Sequence, residues 1–269
     1  MSSQESHATT NSVPAHIEIR GLRLLNVALA DAAAAIESAV LRRCTTLIAF
    51  VNADCVNIAA KDIHYRRQLQ CMDWVFADGI GMRLAGQLLD QPVRDNVNGT
   101  DLFPLICKAL AAHGRSMYLL GGRPGVAHAA GRWAQTQFPD LRIAGTRDGY
   151  FNDADSVRIA AEIRDSGADM LLVAMGVPHQ EAWISRYGRA TGASVTLGVG
   201  GLLDFYSGRI PRAPHWMRRA GLEWTFRLAQ EPGRLWRRYL LGNFAFMARI
   251  GWDRLRGTVR RNDSDRRAA

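Results

Sequence analysis

The chain has 269 residues, 48% apolar and 22% charged, which suits one large domain or a domain with an appendage and excludes a disordered, collagen-like or disulfide-stapled chain. The formal net charge of +9 is unevenly spread: residues 1–204 carry 19 Lys+Arg against 20 Asp+Glu, whereas residues 205–269 carry 15 arginines, no lysine and 5 acids. No run of 18 apolar residues and no basic stretch leading into an apolar one is present, so neither a spanning helix nor a secretion signal is expected.

Residues 1–15, rich in Ser, Thr, Ala and His, read as a disordered tail. A short strand pair follows over 17–25, and an alanine-rich helix over 29–43 with Ile36 and Val40 on one face. Residues 46–51 form an apolar run that suits a buried parallel strand. Asp54 is placed to cap a helix running towards Gln70. A strand at 74–77 ends in Asp78-Gly79-Ile80-Gly81, which opens a helix to about residue 89. A helix over 101–113 and a strand over 116–120 lead to the turn Gly121-Gly122-Arg123-Pro124-Gly125 and a helix to 138. Strand 141–145, helix 155–166, strand 170–174, a helix from Gly176-Val177-Pro178 through 187 and strand 194–199 complete the alternation. Short strands alternating with helices predict an α/β fold: a Rossmann-like parallel sheet with helices on both faces. From 205 to 256 the pattern changes to an arginine-rich helical appendage, and 257–269 reads as a second disordered tail. The four cysteines, Cys44, Cys55, Cys71 and Cys107, form no CxxC pair and read as buried thiols in a reducing compartment.

In open parallel sheets ligands bind beyond the carboxyl ends of the strands. Asn52, Asp78, Gly121-Gly122, Gly176 with Gln180-Glu181, and Gly200-Gly201 with Asp204 all fall at such ends. Asp78 suits either a general base for a hydroxyl or a helix N-cap. The glycine turn suits either a diphosphate approached by backbone amides or plain turn chemistry. Gln180 can reach a phosphate or a sugar hydroxyl from the first turn of its helix. Asp153-x-Asp155 has the form of a metal-binding DxD, but its place just before a helix argues capping by Asn152 and Asp153. The histidines show no metal-ligand spacing, and neither a Walker loop nor a GxSxG elbow is present.

The appendage unites its arginines with Trp216, Trp224, Trp236 and Trp252. Arginine grips phosphate oxygens in pairs, and arginine with tryptophan on amphipathic helices favours an anionic membrane interface. The lipid-facing set is expected to be Arg234, Arg237, Arg238, Arg249, Arg254 and Arg256 around Leu235, Trp236, Leu240, Leu241, Phe244, Met247 and Ile250. Single-stranded nucleic acid is the competing partner for such a patch. A nicotinamide-dependent oxidoreductase is the competing enzyme of the same fold class, although GxGxxG and its ribose-binding acid are missing.

From about residue 17 to 246 the sequence resembles the WecB/TagA/CpsF glycosyltransferases, glycosyltransferase family 26. The likeness lies in Val51-Asn52-Ala53-Asp54, Ala77-Asp78-Gly79-Ile80-Gly81, Asn98-Gly99-Thr100-Asp101-Leu102 and Leu120-Gly121-Gly122. It continues through Gly149-Tyr150-Phe151, Met175-Gly176-Val177-Pro178-His179-Gln180-Glu181, Gly198-Val199-Gly200-Gly201, Arg212-Ala213-Pro214 and Gly221-Leu222-Glu223-Trp224. The resemblance implies inverting, metal-independent transfer of a hexose or N-acetylhexosamine from a UDP-sugar to a polyprenyl-diphosphate-linked sugar. It implies Asp78 as base, with Asn52 beside it. Nucleotide-sugar contacts would come from Gly121, Gly122, Gly176, Gln180, Glu181, Gly200, Gly201 and Asp204. Acceptor or diphosphate contacts would come from Asn98, Asp101, Arg212, Arg218, Arg219 and Arg227. No cofactor and no nucleic acid is implied. Peripheral attachment to the cytoplasmic face of the plasma membrane is implied, with assemblies in which the tail closes a site near a subunit boundary. Many members carry Thr where Phe50 stands and Arg where Asn96 stands. The run 94–101 is nearer to exopolysaccharide-assembly members, which sets glucose beside N-acetylmannosamine as donor sugar.

Overall fold

The computed structural model describes residues 16–257. The expected disordered segments 1–15 and 257–269 therefore lie outside the described residues, Gly257 apart. In chain order the elements are β1 (His16–Ile19), β2 (Leu22–Leu25), α1 (Leu29–Leu41), β3 (Thr46–Val51), α2 (Ala53–Ala59), α3 (Ile63–Gln70), β4 (Trp74–Ala77) and α4 (Ile80–Leu88). They continue as α5 (Gly99–Ala112), β5 (Ser116–Gly121), α6 (Val126–Gln137), β6 (Arg142–Arg147), α7 (Ser156–Asp165), β7 (Met170–Ala174), α8 (His179–Tyr187), β8 (Val195–Gly198) and α9 (Leu202–Tyr206). The tail adds α10 (His215–Arg219), α11 (Glu223–Gln230), α12 (Pro232–Trp236), a π-helical turn Arg237–Gly242 and α13 (Asn243–Leu255).

The strands make one 8-stranded sheet in the order β1-β2-β4-β3-β8-β7-β5-β6, parallel except for the β1–β2 hairpin. Side chains alternate across it as strand pleating requires. Leu47, Ala49 and Val51 of β3 face α2, α3, α4 and α8, while Ile48 and Phe50 face α1, α5 and α9. Both faces are thus covered, and the central strands are apolar throughout. Among the cysteines only Cys55 and Cys107 are buried; Cys44 and Cys71, at the ends of their helices, are exposed. The expected domain boundary at 204 falls inside α9, because Leu202 and Leu203 are buried against the sheet and hold that helix to it.

Two local departures from expectation matter for the site. The helix expected from Asp54 to Gln70 is two helices. Asn52 caps α2 by accepting from the Asp54 and Cys55 N–H groups, and Asp62 caps α3 by accepting from His64 and Tyr65. Asp54 thereby sits in a first turn, where its carboxylate is left to pair elsewhere. The capping expected of Asn152 and Asp153 is not seen: Asn152 makes no side-chain cap bond, Asp155 rather than Asp153 stands at the N-cap position of α7 and also makes none, and Asp153 and Asp155 pair with Arg186 and Arg158.

The tail does not trail from the sheet. Phe246 and Ile250, one helical turn apart on α13, are wholly buried in the core cluster of α2 and α4. The Asn57 side-chain amide donates to the Gly242 carbonyl at 2.8 Å, and Arg238 pairs with Asp54 at 3.0 Å. Arg212 and Arg218 both pair with Asp101, at 2.6 and 3.2 Å. Arg254–Asp90 and Arg20–Asp253 pairs hold the far end. The tail is therefore a lid clasped over the strand ends.

Candidate active site

The lid and the carboxyl ends of β3, β4, β8 and β7 enclose a cavity of about 280 Å³. Asn52 and Asp78 line it from the first two strands, Gly198, Gly200 and Gly201 from β8, and Gly176 with Gln180 from the loop and helix after β7. Arg218, Glu223, Trp224, Arg227, Arg238 and Tyr239 close it from the lid. These strands are consecutive in the sheet, so residues far apart in sequence meet at one point.

Asp78 is not a helix cap. Gly79, at φ 90°, occupies the N-cap position of α4 and receives no side-chain bond there. Its N–H donates instead to Asn96 Oδ1 at 2.6 Å, which pins the backbone beside the aspartate. The Asp78 carboxyl is half-buried. Burial pushes its pKa up to about 6, Glu223 and Asp101 add to the rise, and Arg227 and Arg238 oppose it. A carboxylate tuned into this range, in a cavity, has the chemistry of a general base.

The arginines divide by their partners. Arg212 and Arg218 are committed to Asp101, and Arg212 also lies 3.5 Å from Glu223. Arg238 is committed to Asp54. Arg227 lies over the Phe205 ring at 5.3 Å, and no carboxylate pairs with it among the described residues. Arg219 is exposed and does not line the cavity, contrary to expectation. Asp101 also stands outside the cavity wall. It accepts from the Asn98 amide at 2.7 Å while Asn98 caps α5, and Asn98 itself does line the cavity. Burial works against it, yet Asn98, Arg212 and Arg218 hold the Asp101 carboxyl below its ordinary pKa. Asp101 is thus the anchor of the lid arginines.

A second cavity of about 750 Å³ adjoins the first and shares Gly176, Gly200 and Gly201 with it. Gly122, Tyr150, His179, Asp204 and Arg209 line it, and Tyr150 is 71% exposed there. Asp204 pairs with Arg209 at 2.7 Å on its rim. The expected diphosphate role of the glycine turn changes. The Gly122 N–H already donates to the Ala174 carbonyl at 2.9 Å, and Gly121 takes part in the packing of β5 on β7. A Cβ on Gly121 would stand 2.3 Å from the Ala174 carbonyl oxygen, so glycine is required there by the sheet. Three cavity glycines have nothing within 4 Å of an added Cβ: Gly79 in the first cavity, and Gly176 and Gly200, at φ 78° and 56°, on the shared rim.

Gln180 and Glu181 also take unexpected places. Gln180 Oε1 accepts from the Gly176 and Gly200 N–H groups at 3.2 and 2.9 Å, and its Nε2 donates to Glu181 at 2.7 Å. Glu181 is wholly buried and lines neither cavity. Burial pushes its pKa up to about 7, against the Gln180 bond that lowers it.

Asn96, Thr100, Glu223, Trp224, Arg238 and Tyr239 are cavity residues that the sequence reading did not assign to the site. Trp224 and Tyr239 form a ring pair at 6.0 Å. Arg238 was expected on the lipid side because helical charge alone does not tell inward from outward.

The outer face of the lid also differs from expectation. Leu235 and Ile250 are buried, Met247 packs on the core and Arg249 bonds Asn57. The exposed large apolar side chains of the tail are Trp216, Leu222, Trp236, Leu240, Leu241, Phe244, Trp252 and Leu255. Arg237 lies over the Trp236 ring and Arg256 over Trp252. No helix among the described residues is long and apolar enough to cross a membrane.

Comparison with known proteins places these features in a family. The profile described as the Glycosyl transferase WecG/TagA/CpsF family matches residues 17–260. A Bacillus subtilis (strain 168) protein named N-acetylglucosaminyldiphosphoundecaprenol N-acetyl-beta-D-mannosaminyltransferase is 33% identical over 194 residues, covering 72% of this chain and 75% of its own. A Bacillus spizizenii protein of the same name is 34% identical over 182 residues, covering 68% and 70%.

Proposed function

The chain belongs to the WecG/TagA/CpsF family of glycosyl transferases, and we propose that it moves a sugar from a UDP donor to a polyprenyl-diphosphate-linked sugar by one inverting displacement, with Asp78 as base. The single observation that carries this reading is an uncapped, half-buried carboxylate in a cavity whose opposite wall is a lid of arginines.

In this reading the nucleoside occupies the larger cavity, with Tyr150 and Asp204 beside it. The diphosphate crosses the shared rim of Gly176, Gly200 and Gly201, where the open glycines admit close approach. Arg227, which makes no salt bridge among the described residues, faces the charge that develops on the leaving diphosphate. An added Cβ on Gly201 would stand 3.5 Å from its guanidinium, so rim and cation are neighbours. The transferred sugar reaches the smaller cavity at Asp78. The acceptor hydroxyl oxygen attacks the anomeric carbon, the bond from that carbon to the phosphate oxygen breaks, and UDP leaves with the electron pair. Asp78 takes the hydroxyl proton. Asn52, whose carbonyl caps α2, contributes its remaining NH₂ as a donor in the same cavity.

The relatives' names make diphosphoundecaprenol-linked N-acetylglucosamine the first acceptor to try. N-acetylmannosamine and glucose are the first donor sugars, in cell-surface or exopolysaccharide assembly. The exposed tryptophans, Leu240, Leu241 and Phe244 would sit in the headgroup region with arginines beside them, holding the enzyme on the cytoplasmic face of the membrane. The test is incubation with a panel of UDP-sugars and a short-prenyl diphosphate-linked N-acetylglucosamine, with the product identified by mass. One added sugar with release of UDP is expected; no product with any donor, or transfer that proceeds equally without the diphosphate, would overturn the reading.

A further inference from the structure

We infer that Glu181 is a positioning residue for the glycosyl transfer, acting through Gln180 to lock together the two glycine loops that form the rim between the cavities. The inference rests on the proposed nucleotide role of that rim.

Gln180 is 2% exposed and Glu181 is 0% exposed, so the Gln180 amide has to find its partners inside the protein. The Gln180 oxygen receives two backbone N–H groups, one from the loop after β7 and one from the loop after β8. Both are donors, so the amide has to present oxygen to them and turn its NH₂ the other way. The group met there is the Glu181 carboxylate, at 2.7 Å. Gly198 leaves the room for this: a Cβ on it would stand 3.1 Å from Gln180 Nε2. With Glu181 replaced by an apolar side chain, the NH₂ is stranded in the core. The cheapest escape is rotation into the cavity that Gln180 lines, which releases both glycine N–H groups.

A structural role does not account for the carboxyl. Glu181 accepts from Gln180 through one oxygen, while Oε2 is buried with no hydrogen-bond partner among the described residues, and a half-satisfied buried acid carries a desolvation cost. The bond this carboxyl makes is to the amide that holds the rim. Its effect is also indifferent to its own protonation, because either form retains an oxygen that accepts from Gln180. Glutamine at 181 can supply that oxygen; methionine, of similar length, cannot.

The test uses the full chain with UDP as the probe, in calorimetry and in amide hydrogen exchange at Gly176, Gly200 and the other sheet amides. Glu181→Gln should bind UDP within about twofold of the unmodified protein. Glu181→Met should bind about tenfold or more weakly and lose exchange protection at both glycines. Gln180→Met with Glu181→Met should bind no more weakly than Gln180→Met alone. Weaker UDP binding with exchange protection lost at Gly176 and Gly200 and kept at the other sheet amides is the pattern a merely structural residue does not give. Undiminished UDP binding in Glu181→Met with protection intact, or additive losses in the double variant, would overturn the inference. Glu181→Leu replaces the methionine variant if that one fails to fold. If the unmodified protein shows no affinity for UDP, the nucleotide reading fails separately. Exchange at the two glycines then still decides the lock, its loss in Glu181→Met supporting it and its persistence refuting it.

Discussion

The two walls of the reaction cavity are built on different physics. The sheet wall rests on buried β3, β4, β7 and β8, and its loops are tied by backbone-directed bonds: Gly79 to Asn96, Gly176 and Gly200 to Gln180. The lid wall is half-exposed and held largely by charge, through Asp101, Asp54 and Asp90 on the sheet side. Its only fully buried side chains at the far end are Phe246 and Ile250 among the described residues of α13. A rigid wall presents the base; a wall clasped by ion pairs can exchange those pairs for a phosphate-bearing ligand. The difference assigns fixed geometry to Asp78 and salt sensitivity to the lid.

The sharpest way to break this contrast is Asp78→Asn. Turnover should fall by about 10²–10⁴-fold while UDP affinity, measured by calorimetry, stays near that of the unmodified protein. Turnover close to normal would remove Asp78 from the base role. Next in size is the outer face of the lid. Leu241→Ser with Phe244→Ser should cut association with anionic vesicles by about tenfold in flotation and leave UDP binding alone. Asp101→Ala, which frees Arg218 and leaves Arg212 only Glu223, should raise the acceptor KM by about fivefold with little change for the donor. An equal loss on both substrates would mean that Asp101 supports the sheet wall as well.

The smallest expected effects are in pH dependence. Asp78 has to be ionised to act, so kcat/KM should rise with pH through about 6. Glu223→Gln should move that limb to lower pH and Arg238→Gln to higher pH. The same group sets a stability slope of defined sign. Its folded pKa, about 6, lies above the model-peptide value of 3.8, so the native state holds more protons between those values. Stability should therefore fall as pH rises across that window, and Asp78→Asn should flatten the fall in urea unfolding.

Much of the fold was legible beforehand. Strands 46–51, 74–77 and 170–174 are continuous apolar runs, and burial on both faces leaves such a strand no alternative. Asp78 and the rim glycines were legible as strand-end residues. Asn52 against Asp54 as the cap of α2 was not, because both residue types cap well and only backbone geometry chooses between them. Glu181 looked like a ligand contact because it follows Gln180, yet on a helix adjacent side chains point about 100° apart. Arg212 and Arg218 were expected at the acceptor diphosphate and Arg238 at the lipid, but the fold pairs the first two with Asp101 and turns the third inward to Asp54.

By itself the sequence determined which segments become strands, where their carboxyl ends lie, and that the last quarter would be a cationic helical piece. Those properties follow from local apolar pattern and residue charge, which the chain carries wherever it goes. Tertiary structure decided which strand ends are neighbours, because β8 inserts between β3 and β7 and so brings Gly200 and Gln180 beside Asn52 and Asp78. It also decided which arginines face inward, since that depends on where each meets an acid contributed by a distant stretch of chain.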